Sequence, residues 1–231
     1  MLINKEFSLN VIGTDYIVSD LHGNWHQLQQ HLQRVSFNQK TDRLFSVGDL
    51  IDRGPKSYEC LQLLDQPWFY PVLGNHEDFL VQYFNHTYPP VGFTWLSNGG
   101  SWVFSLTEEQ VKEVKRYSKV LNTAIPLTIT LQTKRGSVGI SHAEPGTLDW
   151  GEVKEESKPL LDVQISQMLW GRKRIKLGKK APLCKNIDLT VHGHTIIPRI
   201  TKVANSIFID TGGYKRGRSI TFLPVEDLFG V

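Results

Sequence analysis

The sequence predicts an α/β fold in a single domain spanning residues 1–231. Three observations carry that prediction. Short apolar runs stop abruptly at polar or charged residues at Tyr16–Val18, Leu44–Val47, Val72–Leu73, Val138–Ile140 and Leu189–Val191. Two of the early runs lead through a polar turn into a stretch with apolar residues at helical spacing. The second half changes to alternating or apolar segments with the period of strands, and 231 residues suffice for one full core.

Taken in order, the first run ends before "SDLHGN", after which Asn24 is the expected N-cap and Trp25, Leu28, Leu32 and Val35 recur along one helical face. "LFSV" repeats the unit. Its loop leads to "SYECLQLLDQ", with Ser57 as expected cap and Leu61 and Leu64 on one face. Strands alternating with helices imply a parallel sheet with helices against it. Thr107 and Gln110 have capping-box spacing ahead of Val111, Val114 and Leu121, which predicts a surface helix. "PLTITLQT", "GSVGISH", "SIFIDTGG" and "SITFLPV" then predict a β-rich half. No repeat, low-complexity tract or long linker divides the chain.

A formal charge of +3 is too weak to argue for nucleic acid, though it is compatible with an acidic or phosphorylated substrate. Two cysteines, Cys60 and Cys184, lack zinc-ribbon or CxxC spacing and read as reduced thiols. Neither a signal-peptide pattern nor a membrane-length apolar run is present, so a cytoplasmic protein with no membrane partner is expected.

The residues delivered by strand ends carry the chemistry. They are Asp20 and His22; Asp49, Asp52 and Arg53; Asn75 and His76; His142; and, in "VHGHT", His192 and His194. One aspartate after a strand is ordinarily a turn former. Five separate loops rich in oxygen and nitrogen donors point instead to one shared site. Aspartate, histidine and asparagine without cysteine suit manganese, iron, zinc or magnesium rather than a thiolate-bound structural zinc. Asp20, His22, Asp49, Asn75, His142 and a histidine of the 192/194 pair make six donors, more than one ion needs. Two ions sharing a carboxylate form a device for hydrolysing phosphate esters, whose barrier must fall by about 20 kcal/mol or more. Strand alternation alone leaves His192 and His194 equal.

"SDLHGN", "VGDLIDRG", "LGNHED", "SHAE" and "HGHT", in this order, resemble the calcineurin-like metallophosphoesterases, and within them the bacterial and bacteriophage serine/threonine protein phosphatases of the lambda-phosphatase type. "PWFY", "WLSNGGSW", "MLWGRKRI" and "IFIDTGG" extend the resemblance over nearly the whole chain. It implies a central β-sandwich of mixed sheets flanked by helices, in α-β-β-α layers. It also implies two divalent metal ions, manganese first among the candidates, with Asp20, His22 and Asp49 around one and Asp49, Asn75, His142 and His194 around the other. His192 is left as a packed or hydrogen-bonded neighbour. His76 becomes the general acid, oriented by Asp52, and Arg53, Asn75 and Arg172 bind the substrate phosphate. The implied reaction is hydrolysis of phosphoserine or phosphothreonine in proteins, with phosphotyrosine also open, by direct attack of a metal-bridging hydroxide. A phosphoprotein is the implied partner; oligomeric state stays open.

Ser19 stands where the pattern has glycine, Asn24 where relatives often have cysteine, and Glu144 where they commonly carry aspartate. A dinucleoside tetraphosphate hydrolase uses the same motifs and is the rival enzyme; a binding module that has lost turnover is the rival outside catalysis. The stretch "GRKRIKLGKK" carries six basic residues and reads either as a solvated loop or as a patch that steers acidic phosphoproteins. Trp95 and Trp102 are expected in the core, and His26, His31 and His86 at the surface.

Overall fold

The computed structural model describes residues 2–85, 89–155 and 160–231. Its first part runs β1 (Leu2–Phe7), β2 (Asp15–Val18), α1 (Trp25–Arg34), β3 (Arg43–Ser46), α2 (Ser57–Leu61), β4 (Phe69–Pro71), α3 (Asn75–Phe84), α4 (Pro89–Ser97) and α5 (Glu108–Thr123). There follow β5 (Pro126–Thr133), β6 (Gly136–Ser141), α6 (Gly151–Lys154), α7 (Asp162–Trp170), α8 (Lys173–Leu177), β7 (Leu189–His192), β8 (Thr201–Val203), β9 (Ser206–Phe208) and β10 (Phe222–Pro224). His86 lies outside the described residues.

Two mixed sheets form, in the orders β10-β2-β3-β4 and β1-β5-β6-β7-β9-β8. Alternation along each strand decides what faces what. Ile17 and Phe45 point inward and pack with Ile129, Leu131, Val138, Ile140, Val191 and Ile207 of the other sheet. Their neighbours Tyr16, Val18 and Leu44 point outward and meet Leu28, Leu61, Leu80, Val114 and Leu121 from the helices. The apolar contact between sheets and the helical cover on the outer face are the expected α-β-β-α layers, each fully buried Leu or Ile contributing about 1.5–3 kcal/mol.

The expected parallel unit is present: β2 pairs with β3, and β3 with β4, all parallel. Thr107 and Gln110 close the expected capping box of α5, with Gln110 N–H donating to Thr107 Oγ1 and Thr107 N–H to Gln110 Oε1. Two other caps differ from expectation. Asn24 occupies the N-cap position of α1, but its amide donates back to Leu21 O at 2.9 Å instead of receiving a helix N–H. Ser57 is the first residue of α2 rather than its cap, because its hydroxyl is taken by Asp52 N–H at 2.9 Å. Strand pairing also crosses the expected halves: β10 pairs antiparallel with β2, and the unpredicted β1 pairs with β5. His31 is only half-exposed, stacked on Phe222 at 5.2 Å.

Candidate active site

The C-terminal ends of β2, β3, β6 and β7 and the N-terminus of α3 converge at the junction of the two sheets. Parallel strands bring their loops to one side, which is why residues 20 to 194 can meet there. The backbone at these ends is unusual. His22, Asp49, Asp52, Arg53 and His194 all have positive φ, from 42° to 73°. The left-handed region is costly for side-chain-bearing residues and turns each side chain back toward the site. Gly193, between the two histidines of "VHGHT", is required by proximity: a Cβ there would sit 1.9 Å from Asp20 Oδ1. That opening lets the Asp20 carboxylate accept His194 N–H at 3.0 Å.

Two donor clusters share Asp49. His22, Asp49 and His76 offer atoms mutually within 4.8 Å, and so do Asp49, His142 and His194. The two carboxylate oxygens divide between them: Oδ2 lies 3.6 Å from His22 Nε2, whereas Oδ1 lies 3.4 Å from His142 Nε2. Asn75 Oδ1 completes the second cluster, 2.9 Å from His142 Nε2 and 2.8 Å from His194 Nδ1. Hydrogen bonds fix the imidazoles. His22 Nδ1–H donates to Ile51 O at 2.9 Å and His142 Nδ1–H to Val47 O at 2.7 Å, which turns each Nε2 toward the site. Asp20 is buried beside the clusters but is not in either triplet; its oxygens are turned to the His194 amide.

The electrostatics divide the buried donors. Burial, with Asp210 and Asp49 nearby, holds Asp20 well above the carboxylate range. Burial would also raise Asp49, but His142 and His76 outweigh it and hold it well below that range. Burial would lower His142; the Asp49 carboxylate reverses this and raises it to about 9. Burial takes His22 and His194 down to about 3, so both are neutral imidazoles able to donate a lone pair. Buried carboxylates, buried imidazoles and the Asn75 carboxamide together form an oxygen and nitrogen donor set that fits two hard or borderline divalent ions.

His76, a member of the first triplet, is also engaged from outside it. Its Nδ1 lies 2.5 Å from Asp52 Oδ2, while Nε2 faces Asp49 at 3.9 Å. Asp52 is itself fixed by two indoles: Trp95 Nε1–H donates to Oδ2 at 2.8 Å and Trp102 Nε1–H to Oδ1 at 2.7 Å. Core packing is the expectation for both tryptophans; Trp95 is fully buried, Trp102 only half-buried, and both also hold Asp52. Arg53 donates to His22 Nε2 at 2.7 Å and its guanidinium lies 4.9 Å from the Tyr214 ring. Arg53 and Arg172 line one cleft of about 390 Å³ with Asp49, Asn75, His194 and Tyr214. Two guanidinium forks over a dinuclear donor set can bind the oxygens of a phosphoryl group.

A model of the calcineurin-like phosphoesterase family matches residues 16–198. This chain is a calcineurin-like phosphoesterase. It is 35% identical over 209 residues to serine/threonine-protein phosphatase 2 of Escherichia coli strain K12, covering 88% of this chain and 89% of the relative. Similarity to the symmetrical bis(5'-nucleosyl)-tetraphosphatase of Dechloromonas aromatica is 43% but over 68 residues, 29% of this chain and 25% of that one. Among solved structures, a candidate diadenosine tetraphosphatase superposes with a TM-score of 0.64 over 97% of this chain and 98% of its own, at 22% identity, a likeness of fold.

Several residues of this phosphoesterase were not singled out by their pattern. Glu77, in "GNHED", is buried and its carboxylate accepts the N–H groups of Asp49, Leu50 and Gly74 at 2.8, 2.8 and 3.1 Å. Asp210, in "IFIDTGG", is buried behind Asp20 and accepts Gly212 N–H. Tyr214 and Asn98 line the cleft. His192 is away from the donor clusters, as expected of a hydrogen-bonded neighbour: Nδ1 meets Ser141 at 3.1 Å and Nε2 meets Thr190 Oγ1 at 2.8 Å. Ser19 makes use of its hydroxyl, which accepts Thr221 N–H at 3.0 Å and ties β2 to the approach of β10. Glu144 is not in the cleft but accepts Arg174 N–H. The basic stretch is solvated but not a loop: it contains α8, Arg172, Lys173, Lys176, Lys179 and Lys180 are exposed, and Arg174 alone of the six is buried, donating to Ser206 Oγ and Pro182 O.

Proposed function

We propose that this phosphoesterase removes phosphate from phosphoserine and phosphothreonine in proteins, with residues 1–231 acting as one catalytic domain in the cytoplasm. The observation that carries the reading is the pair of donor clusters joined through Asp49, with His76 clasped by Asp52 at their edge. Similarity to a protein phosphatase over nearly the full chain supports the protein substrate over the dinucleotide, whose named hydrolase matches only 68 residues.

In this reading Asp20, His22 and Asp49 hold one divalent ion and Asp49, Asn75, His142 and His194 the other, manganese being the first candidate. Bound there, the ions would supply a water ionised near neutral pH and neutralise phosphoryl charge. The chain does the rest. Arg53 and Arg172 grip the non-bridging oxygens and hold the phosphoryl group oriented in the cleft. Asp52 keeps a proton donor on the His76 side of that oxygen, so the serine or threonine alkoxide departs as an alcohol. Asn75 adds its amide to the phosphate contacts.

The test compares a phosphoserine peptide with diadenosine tetraphosphate, using apo-protein refilled in turn with manganese, iron, zinc or magnesium. Turnover of the peptide at least tenfold faster, best with manganese, is expected. Faster cleavage of the dinucleotide would transfer the reading to that substrate, and no phosphatase activity with any ion would leave a binding module.

A further inference from the structure

Beside the phosphate cleft lies a second concavity that no step of catalysis uses. Arg172, on the cleft wall, also forms one edge of a shallow hollow with Lys173, Lys176 and Leu177. Lys173 and Leu177 continue as a wall of a groove of about 560 Å³, which runs on past Gly146 and Leu148 toward Glu152. Cleft, hollow and groove therefore share walls in succession, and together they make a track leading away from the reaction centre.

The track has a definite chemistry. Lys173 and Lys176 are exposed at its near end, and neither forms a salt bridge among the described residues. Glu144, whose field reaches Lys173, is already engaged by the Arg174 N–H. The buried Arg174 beneath, bonded to Ser206 Oγ at 2.6 Å, pins α8 so that its lysines are presented from a fixed backbone. Leu177, shared by hollow and groove, and Leu148 in the groove are apolar side chains left 38% and 55% exposed. Glu152 closes the far end with negative charge, its Oε2 held by Thr147 and Gln164.

We propose that this track docks the substrate segment on one side of the phosphoresidue, reading an acidic side chain at Lys173 and Lys176 and an uncharged apolar one beyond. The inference rests on the protein-phosphatase reading and deepens it. The occupant is fixed by complementarity of charge: two free ammonium groups within a helical turn select carboxylates next to the phosphorylated residue, whereas Glu152 rejects them farther out. Lys179 and Lys180 belong to the same basic stretch but line neither hollow nor groove. That separates local contact from long-range steering by overall charge.

The experiment measures kcat/KM for phosphoserine peptides of one sequence carrying aspartate or asparagine in the three positions before, or the three after, the phosphoserine. The proteins are the manganese-loaded wild type, Lys173→Ala/Lys176→Ala and Lys179→Ala/Lys180→Ala. In the wild type, acid on one side raises kcat/KM about fivefold, the size expected of two exposed ion pairs, and the advantage shrinks as salt is added. The first double variant loses that preference and the second keeps it. Equal rates for acidic and neutral peptides in the wild type, or equal loss of preference in both double variants, would overturn docking while the protein-phosphatase reading survives. A wild type that hydrolyses p-nitrophenyl phosphate but no peptide would overturn both.

Discussion

Replacing Trp102 with phenylalanine tests the clasp on the proposed acid. Asp52 is fully buried, and its carboxylate is held by three donors: His76 Nδ1 and Trp95 Nε1 on Oδ2, and Trp102 Nε1 on Oδ1. Trp102 supplies the one side-chain donor that Oδ1 receives among the described residues. Phenylalanine keeps an aromatic ring against Trp95, which Trp102 meets edge-on at 6.4 Å, and deletes that donor. A hydrogen bond to a buried charged group is worth about 1.5–3 kcal/mol, so the fold loses roughly 2 kcal/mol by urea titration. The carboxylate also becomes free to turn, and with it the imidazole it orients. If half of that energy is lost in the transition state, kcat falls about fivefold to tenfold on a poor leaving group, at 1.36 kcal/mol per decade. The assay compares a phosphoserine peptide, which needs its alkoxide protonated, with p-nitrophenyl phosphate, whose leaving group departs unaided. The peptide rate drops by the larger factor and the p-nitrophenyl rate changes less than about threefold. Equal losses on both substrates in a variant that is still folded would refute the clasp and leave Trp102 as packing alone.

Metal stoichiometry distinguishes the two histidines around Gly193. Calorimetric titration of the apo-protein is expected to give two manganese ions per chain in the wild type and in His192→Asn but one tight ion in His194→Ala; a lost ion in His192→Asn would reverse the assignment. Chelation with EDTA should abolish turnover and lower Tm, with both restored by manganese, because ligands that bind the folded state alone stabilise it; full activity after verified metal removal would refute the dinuclear reading. Arg174→Met should cost about 2 kcal/mol by urea unfolding, since Ser206 Oγ and the Pro182 carbonyl lose their donor; a change no larger than that of Lys179→Ala would show that the guanidinium contributes nothing. Burial pushes the Cys184 thiol up to about 11 and Cys60 higher still. At pH 8 about one Cys184 in a thousand is a thiolate, so Ellman's reagent should label both cysteines only on unfolding; rapid labelling of the native protein would contradict the burial.

The sequence was most legible where local chemistry and global fold agree. The capping box at Thr107 and Gln110, the parallel units ending at Asp20 and Asp49, and the apolar faces of α1 and α5 follow from spacing that no tertiary contact overrides. Pairing between distant strands was not legible. Nothing in "LINKEF" announces that β1 will pair with β5, or that β10 will cross to β2, because pairing partners are chosen by the closed sandwich rather than by either segment. Side-chain polar partners were hidden for the same reason. Ser57 reads as a cap until Asp52 N–H takes its hydroxyl, and Arg174 reads as one more surface cation until Ser206 and Pro182 enclose it. Glu77 and Asp210 lay inside quoted motifs, yet a carboxylate that receives backbone amides has the same letter as one that holds a cation.

The left-handed residues explain why so many polar groups can be gathered without the site collapsing. Among the described residues, eight that are not glycine have positive φ, and five of them are His22, Asp49, Asp52, Arg53 and His194. At about 1–2 kcal/mol each, this strain is of the order of a small domain's net stability. It persists because each turn is tied down by bonds that do not depend on a cation. Leu21 and His22 both donate to Asp49 O at 2.9 Å, which locks the β2 turn to the β3 turn. Glu77 reaches from α3 to hold the amides of Asp49 and Leu50, and Asp20 holds the amide of His194. The loops therefore brace one another across the sheet junction, and the donor atoms are positioned by the chain's own hydrogen bonds. In "VHGHT" the same logic separates two similar histidines. His192 still belongs to strand β7, where its ring is enclosed by Ser141 and Thr190. His194 lies beyond Gly193, where the left-handed turn and the Asp20 clasp bring its ring to Asn75 and His142. Alternation along a strand made them equivalent, and the end of the strand makes them different.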